Sequence, residues 1–203
     1  MKQVLGFLKG KGYNIEPIER DEYTDLGLYA SIYYVNEKIV RIVSDSTGVG
    51  AVPINVEQEF RIYEKMIGDT NDHLVHIHLA KYFAEEKSSV VVMEKLDKSW
   101  EDLDPEFNDL FDLMFDKHGI HNKLSYVPNE NQMDLLINKA TNEDWEIRTY
   151  SALADDEKRL LMDVFKGTTE LRQKYLHTVN DLHIGNVMRD PNAGNYKLID
   201  VGI

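Results

Sequence analysis

Residues 177–203 read HTVNDLHIGNVMRDPNAGNYKLIDVGI and hold the densest polar cluster of the sequence. Asp181 follows a long predicted helix and lies in a short polar loop. Asn186 precedes one predicted strand, and Asp200 ends the next. The turn residues DPNAGN lie between these strands and predict a hairpin. Such a hairpin would bring Asn186 and Asp200 close together.

These three side chains suit a particular chemistry. One carboxylate oxygen and one amide oxygen are suitable ligands for Mg²⁺, which completes its coordination with water and phosphate oxygens. A further carboxylate, that of Asp181, could orient a hydroxyl group and accept its proton. Metal ligands and a base are parts that phosphoryl transfer from a nucleotide requires.

The segment NDLHIGNVM (180–188), followed by LIDVG (198–202), resembles the catalytic loop and metal-binding segment of the protein kinase-like superfamily. The histidine two residues after the aspartate is the version common in aminoglycoside phosphotransferases. The resemblance implies ATP and Mg²⁺ as cofactors. It also implies Asp181 as the catalytic base and Asn186 and Asp200 as the metal ligands.

The first half of the chain resembles the same superfamily over two further segments. VVVMEKL (90–96) is similar to the last strand of the kinase N-lobe and its hinge. This implies Met93 as the gatekeeper and the backbone of Glu94 and Leu96 as the groups that bind adenine. EFRIYEKM (59–66) is similar to the kinase C-helix, which makes Glu59 the partner of the phosphate-binding cation.

Three positions depart from the family pattern. Arg41 stands where the family has its phosphate-binding lysine, and Lys38 is expected on the opposite face of the strand. Arginine keeps the charge but not the compact geometry of lysine. Gly27 is the glycine that remains of the glycine-rich loop, and Val179 replaces the histidine that usually lies two residues before the catalytic aspartate.

Periodicity predicts that the first half of the chain is rich in strands and that the second half is mostly helical before a final hairpin. The predicted helices are 2–9, one that begins at Asn55, 105–117 and 155–177. The predicted strands are 28–35, 38–44, 75–84, 88–96 and a final hairpin. Together with the resemblance, this predicts an α+β, two-lobed, protein kinase-like fold. Its antiparallel-sheet N-lobe would be residues 1–95, and its helical C-lobe residues 96–203.

Composition limits the partners and the location. The net charge of −13 disfavours binding to nucleic acids and anionic membranes. The chain has no cysteine, no long apolar run and no signal-peptide pattern, so we expect a cytoplasmic protein, in the host cytoplasm if it is viral. The acidic run at 99–116 predicts a solvated helix face or, alternatively, a surface that docks a basic protein.

The sequence favours a protein kinase of the Ser/Thr type and leaves two alternatives open. One is a small-molecule kinase, which the histidine-containing loop supports. The other is a pseudokinase that binds proteins, which Arg41 and the reduced glycine-rich loop support. The sequence ends three residues after Asp200, so the C-lobe is expected to be truncated, without an activation segment.

Overall fold

The computed structural model describes residues 2–15, 30–44, 56–98, 103–141 and 149–201, apart from the side chains of residues 58 and 59. The chain forms two compact units. Unit 1 consists of Met1–Thr70 and His76–Lys95, and unit 2 of Asn71–Val75 and Leu96–Ile203. The structure is α+β, with an antiparallel sheet and several helices, which confirms this part of the predicted fold class. The two-lobed kinase-like assembly and its domain bounds stay a prediction.

Unit 1 is built on a four-stranded antiparallel sheet. The strand order is β1-β2-β4-β3. The predicted hairpin is confirmed, since its turn residues Asn36 and Glu37 both have positive φ, as tight hairpin turns require. The elements of this unit are α1 Lys2–Gly10, β1 Ala30–Val35, β2 Lys38–Ser44, α2 Val56–Met66, β3 Ile77–Phe83 and β4 Ser88–Glu94.

A helix covers each face of this sheet. On one face, Val40 and Ile42 of β2 join a buried cluster with Val4 and Leu8 of α1. On the other face, Val43 of β2 packs with Val56 of α2. Side chains alternate along a strand, so neighbouring positions of β2 meet different helices. This explains why the central strand β4 is apolar and β-branched at successive positions, as the sequence predicted for a buried strand.

Unit 2 combines helices with a small three-stranded sheet of order β5-β6-β7. The predicted helix 105–117 is α-helical to Asp112 and continues as a π-helix over Leu113–Lys117. It ends with a hydrogen bond from His118 N to Leu113 O, just before Gly119. The elements are β5 Asp97–Lys98, α3 Pro105–Asp112, α4 Ile120–Lys123, α5 Glu130–Ala140, α6 Asp155–Tyr175, β6 Val187–Arg189 and β7 Tyr196–Leu198.

The long helix α6 approaches the backbone of its own unit unusually closely. The segment 71–75 pairs with β7 through Val75 N to Leu198 O at 2.9 Å and Leu198 N to His73 O at 3.1 Å. A Cβ atom added to Gly167 of α6 would lie 2.7 Å from His73 O and 3.1 Å from Leu198 Cδ1. Glycine is therefore required here by close packing, although it weakens a helix interior.

We predict that Gly167→Ala destabilises the protein by about 1–3 kcal/mol, because the new methyl group meets a backbone oxygen that cannot move aside. Gly6→Ala in α1 is the matched control, since nothing lies within 4 Å of its added Cβ. That control should raise stability by roughly 0.5–1 kcal/mol through helix propensity alone. Thermal unfolding of both variants checks this, and equal shifts would contradict the close approach.

Candidate functional site

The β6–β7 hairpin brings two of the predicted site residues to one end of unit 2. Val187 pairs with Leu198, and Ile199 N donates to Asn186 O at 3.0 Å. Asn186 directly precedes β6, and Asp200 lies two residues after the end of β7. The pairing of the two strands therefore brings their backbones close together. The confirmed hairpin thus places the two proposed metal ligands next to each other in the backbone register.

The turn of this hairpin is held by Asp190. Its Oδ1 accepts from Asn192 N at 2.9 Å and from Ala193 N at 3.2 Å, while Lys197 Nζ lies 3.0 Å from its Oδ2. Burial alone would raise the pKa of Asp190, but these hydrogen bonds and the Lys197 charge outweigh it and lower the pKa. The turn is thus fixed by a largely buried ion pair.

The side chain of Asn186 ties the hairpin to the loop that carries Asp181. Asn186 is buried, and its Nδ2 donates to Asp181 O at 2.8 Å. With the nitrogen fixed in this bond, the orientation of the amide oxygen Oδ1 is fixed as well. Asp181 itself is exposed, and its carboxylate makes no hydrogen bond with any described residue.

The loop before Asn186 is also held by side chains from distant parts of unit 2. His121 Nε2 lies 2.8 Å from Val179 O, and Asn122 Nδ2 donates to the same oxygen at 2.9 Å. Asp112 Oδ1 accepts from Ile184 N at 2.8 Å. Sequence reasoning missed these three supporting residues, because they lie 57 to 72 positions away from their partners.

Two histidines of the 177–203 segment have structural contacts. His177 Nε2 lies 2.7 Å from Val201 O, which anchors the backbone just after Asp200. His183 Nδ1 accepts from Gly185 N at 3.2 Å. A Cβ atom on Gly185 would lie only 3.0 Å from the His183 ring, so a glycine permits this turn. Both histidines therefore shape the backbone around the candidate site.

Burial shifts the ionisation of two supporting residues. It raises the pKa of Asp112, against the opposing hydrogen bond from Ile184 N. It lowers the pKa of His121, with the Val179 carbonyl acting in the opposite direction and the Arg172 charge adding to the decrease. His121 is only 2% exposed, so its neutral form is the one that the fold accommodates.

In unit 1, the register of β2 decides which cation faces α2. Arg41 lies opposite Val91 and shares its face with Val43, the face that α2 covers. Lys38 lies on the opposite face, 6.0 Å above the Tyr13 ring. The prediction that Lys38 faces away from Arg41 is thus confirmed.

The remaining predicted positions are less completely described. Gly27 lies outside the described residues, and so does the side chain of Glu59, whose backbone belongs to α2. Met93 is buried in β4. Glu94 N donates to His76 O at 3.1 Å, so this amide is already used within unit 1. Leu96 is buried in unit 2.

The donor set of Asn186 and Asp200 fits Mg²⁺. It offers one amide oxygen and one carboxylate, and Mg²⁺ in nucleotide sites commonly uses one or two protein carboxylates and takes its other ligands from phosphates and water. Within the described ranges, no group of three or more His, Asp or Glu residues could hold a metal ion. This part of the chain likewise contains no helix that is both long and apolar enough to cross a membrane.

Comparisons with known proteins give distant structural likenesses and no match by sequence. No protein-family model matches the sequence, and no curated protein matches it. Among solved structures, the chain is similar to a point mutant of the PknI kinase domain from Mycobacterium tuberculosis, with 12% identity and a TM-score of 0.41. The match covers 86% of this chain but only 55% of that chain. This likeness is too distant to transfer an activity.

We predict that His121 contributes to acid sensitivity. Its pKa in the folded protein lies below the ordinary value of 6.5, so the unfolded chain binds the proton first as pH falls. The stability from neutral His121 is complete above pH 6.5 and is lost as pH falls through the folded-state pKa. His121→Gln keeps an N–H donor but cannot titrate.

Urea unfolding between pH 7 and about 5 measures this contribution. The wild type should lose more free energy of unfolding over that interval than His121→Gln does. His73 and His78 also have pKa values lowered by burial, so a residual slope is expected in both proteins. Identical slopes would contradict the prediction.

Proposed function

We propose that this chain transfers the γ-phosphoryl group of ATP, with Mg²⁺, to the hydroxyl group of a protein serine or threonine. The observation that carries the proposal is the connected set of Asp181, Asn186 and Asp200. Asn186 donates its side-chain N–H to Asp181 O, and its own carbonyl oxygen accepts from Ile199 N, the residue before Asp200. The proposed base and the two proposed oxygen ligands are thereby connected through hydrogen bonds within one segment.

In this proposal, Asn186 Oδ1 and the Asp200 carboxylate hold Mg²⁺. When bound, the ion would neutralise negative charge on the phosphates of the nucleotide. The anchoring of Asn186 Nδ2 supports this role, because it fixes the position of the ligand oxygen before the metal arrives. The contact of His177 with Val201 O holds the backbone on the far side of Asp200.

Asp181 acts as the base. As the acceptor oxygen forms its bond to the γ-phosphorus, the bond from phosphorus to the β,γ-bridging oxygen breaks and ADP leaves. The hydroxyl proton passes to the Asp181 carboxylate. The exposure of Asp181 and the absence of a hydrogen bond from any described residue to its carboxylate support this role.

The proposed nucleotide contacts are those that the kinase-like resemblance implies. Arg41 binds phosphate and pairs with Glu59, and Gly27 allows the backbone to approach the phosphates. Adenine binds beside Met93 to backbone groups of Glu94 and Leu96. The register of β2 supports the first of these contacts, since Arg41 lies on the sheet face that the Glu59 helix covers.

The proposed acceptor is a basic protein, because the net charge of −13 attracts cationic partners. Arg41 also favours a second candidate, a pseudokinase that binds nucleotide weakly and engages a protein without transferring phosphate. Its planar guanidinium does not reproduce the point charge of lysine at a phosphate. A small-molecule hydroxyl is the alternative acceptor.

The test is label transfer from γ-labelled ATP with Mg²⁺ to a cell lysate and, in parallel, to free aminoglycosides. The wild type should label protein, and Asp200→Ala should abolish labelling. Asp181→Asn should reduce the rate by about 10²–10⁴-fold through loss of the base. Asp155→Ala, an exposed aspartate of α6 outside the site, is the matched control and should keep the wild-type rate.

Each contrary outcome has its own meaning. Absence of labelling, together with no thermal shift by ATP and Mg²⁺, would refute the enzyme. A thermal shift without labelling identifies the pseudokinase. Labelling that survives Asp200→Ala would overturn the metal assignment, and labelling of aminoglycosides alone would overturn the protein acceptor.

A further inference from the structure

Two side-chain donors from one short helix converge on a single backbone oxygen near Asp181. His121 Nε2 lies 2.8 Å from Val179 O, and Asn122 Nδ2 lies 2.9 Å from it. The carbonyl oxygen can only accept, so Nε2 of His121 carries the hydrogen. Val179 is two residues before Asp181 and is 2% exposed. A buried carbonyl without these donors would be costly, so the loop is fixed at this point.

The helix that presents these donors is itself fixed to α6. Arg172 of α6 donates through Nη2 to His121 O at 2.8 Å and through Nη1 to Leu124 O. The His121 ring also packs against Phe115, with 5.7 Å between centroids. α4 has only four residues, and an isolated helix of this length is not stable in water. The hydrogen bonds from Arg172 therefore stabilise α4 in its position against α6.

Asp181 is thereby held from both sides through its backbone. On the N-terminal side, α4 holds the carbonyl of Val179. On the C-terminal side, Asn186 Nδ2 holds the carbonyl of Asp181 itself. Only Asn180 lies between the two hydrogen-bonded carbonyl groups. The backbone conformation at Asp181 is therefore restricted, and so is the direction of its Cα–Cβ bond.

We propose that His121 is a positioning residue of the Asp181 loop, with Asn122 as the second donor. The inference rests on the proposed function for the role of Asp181. His121 does not act on the reacting atoms, since its ring is buried and its Nε2 is used by Val179 O. Its Nδ1 is buried and has no hydrogen-bond partner among the described residues. Its contribution therefore passes through the loop backbone.

The first test measures the order of the loop without any activity assay. Hydrogen exchange of the amides in peptides covering 178–186 is compared for the wild type, His121→Gln, His121→Leu and the double variant His121→Leu/Asn122→Ala. The double variant should exchange there roughly fivefold faster or more, because Val179 O has lost both donors. His121→Gln should stay close to the wild type, since glutamine keeps an N–H donor.

Ile137→Val in the buried part of α5 is the control for general loss of stability. It should raise exchange across unit 2 without a preference for 178–186. If the double variant gives the same uniform pattern as this control, or no change at all, the positioning role is wrong.

The second test is the rate of label transfer at a temperature where every variant is folded. The double variant should lose kcat by on the order of 100-fold, as expected for a misplaced base, while KM for ATP changes by less than about threefold. His121→Gln should restore most of kcat relative to His121→Leu. Equal losses in His121→Leu and Ile137→Val would refute the inference.

The two tests separate this inference from the proposed function. If the wild type transfers no phosphate, the proposed function fails, and hydrogen exchange still decides whether His121 orders the loop. If the wild type is active and the loop of the double variant is as ordered as before, the proposed function stands and the inference fails.

Discussion

The ammonium group of Lys197 and the carboxylate of Asp190 meet at 3.0 Å in the turn of the β6–β7 hairpin, and both side chains are largely buried. Unpairing either charge there would be costly, so the turn has one favourable arrangement. That arrangement sets Val187 opposite Leu198. A slip by one residue would turn the side chains of one strand to the other face and would separate Asn186 from Asp200. The candidate site depends on this register.

Helix α6 contacts the other elements that position the candidate site in unit 2. Its buried Asp163 accepts from Tyr196 N at 3.1 Å, which holds the start of β7. Its Gly167 allows β7 and the segment 71–75 to lie directly against the helix. Its Arg172 holds α4, which in turn holds the loop of Asp181. One helix therefore supports the hairpin and the loop through different residues along its length.

The features that could be predicted are those that depend on patterns within a short stretch of sequence. The Asn36-Glu37 hairpin follows from two neighbouring strand patterns, and α6 follows from its apolar stripe. The bonds of His121 and Asp112 join residues 58 and 72 positions apart, and no periodicity carries such information. The π-helix after Asp112 has the same apolar spacing as an ordinary helix, so the pattern could not distinguish them. The two hydrogen bonds are tertiary contacts between distant parts of the sequence.

Asp181 is held through its backbone rather than through its carboxylate. In unit 2, the donors go instead to the carbonyl oxygens of Val179 and Asp181. The backbone is thereby ordered while the carboxylate receives no hydrogen bond from the described residues. Val179 contributes a buried apolar side chain, and His121 of α4 contributes the hydrogen bond to the Val179 carbonyl oxygen. These two residues together fix the loop that carries Asp181.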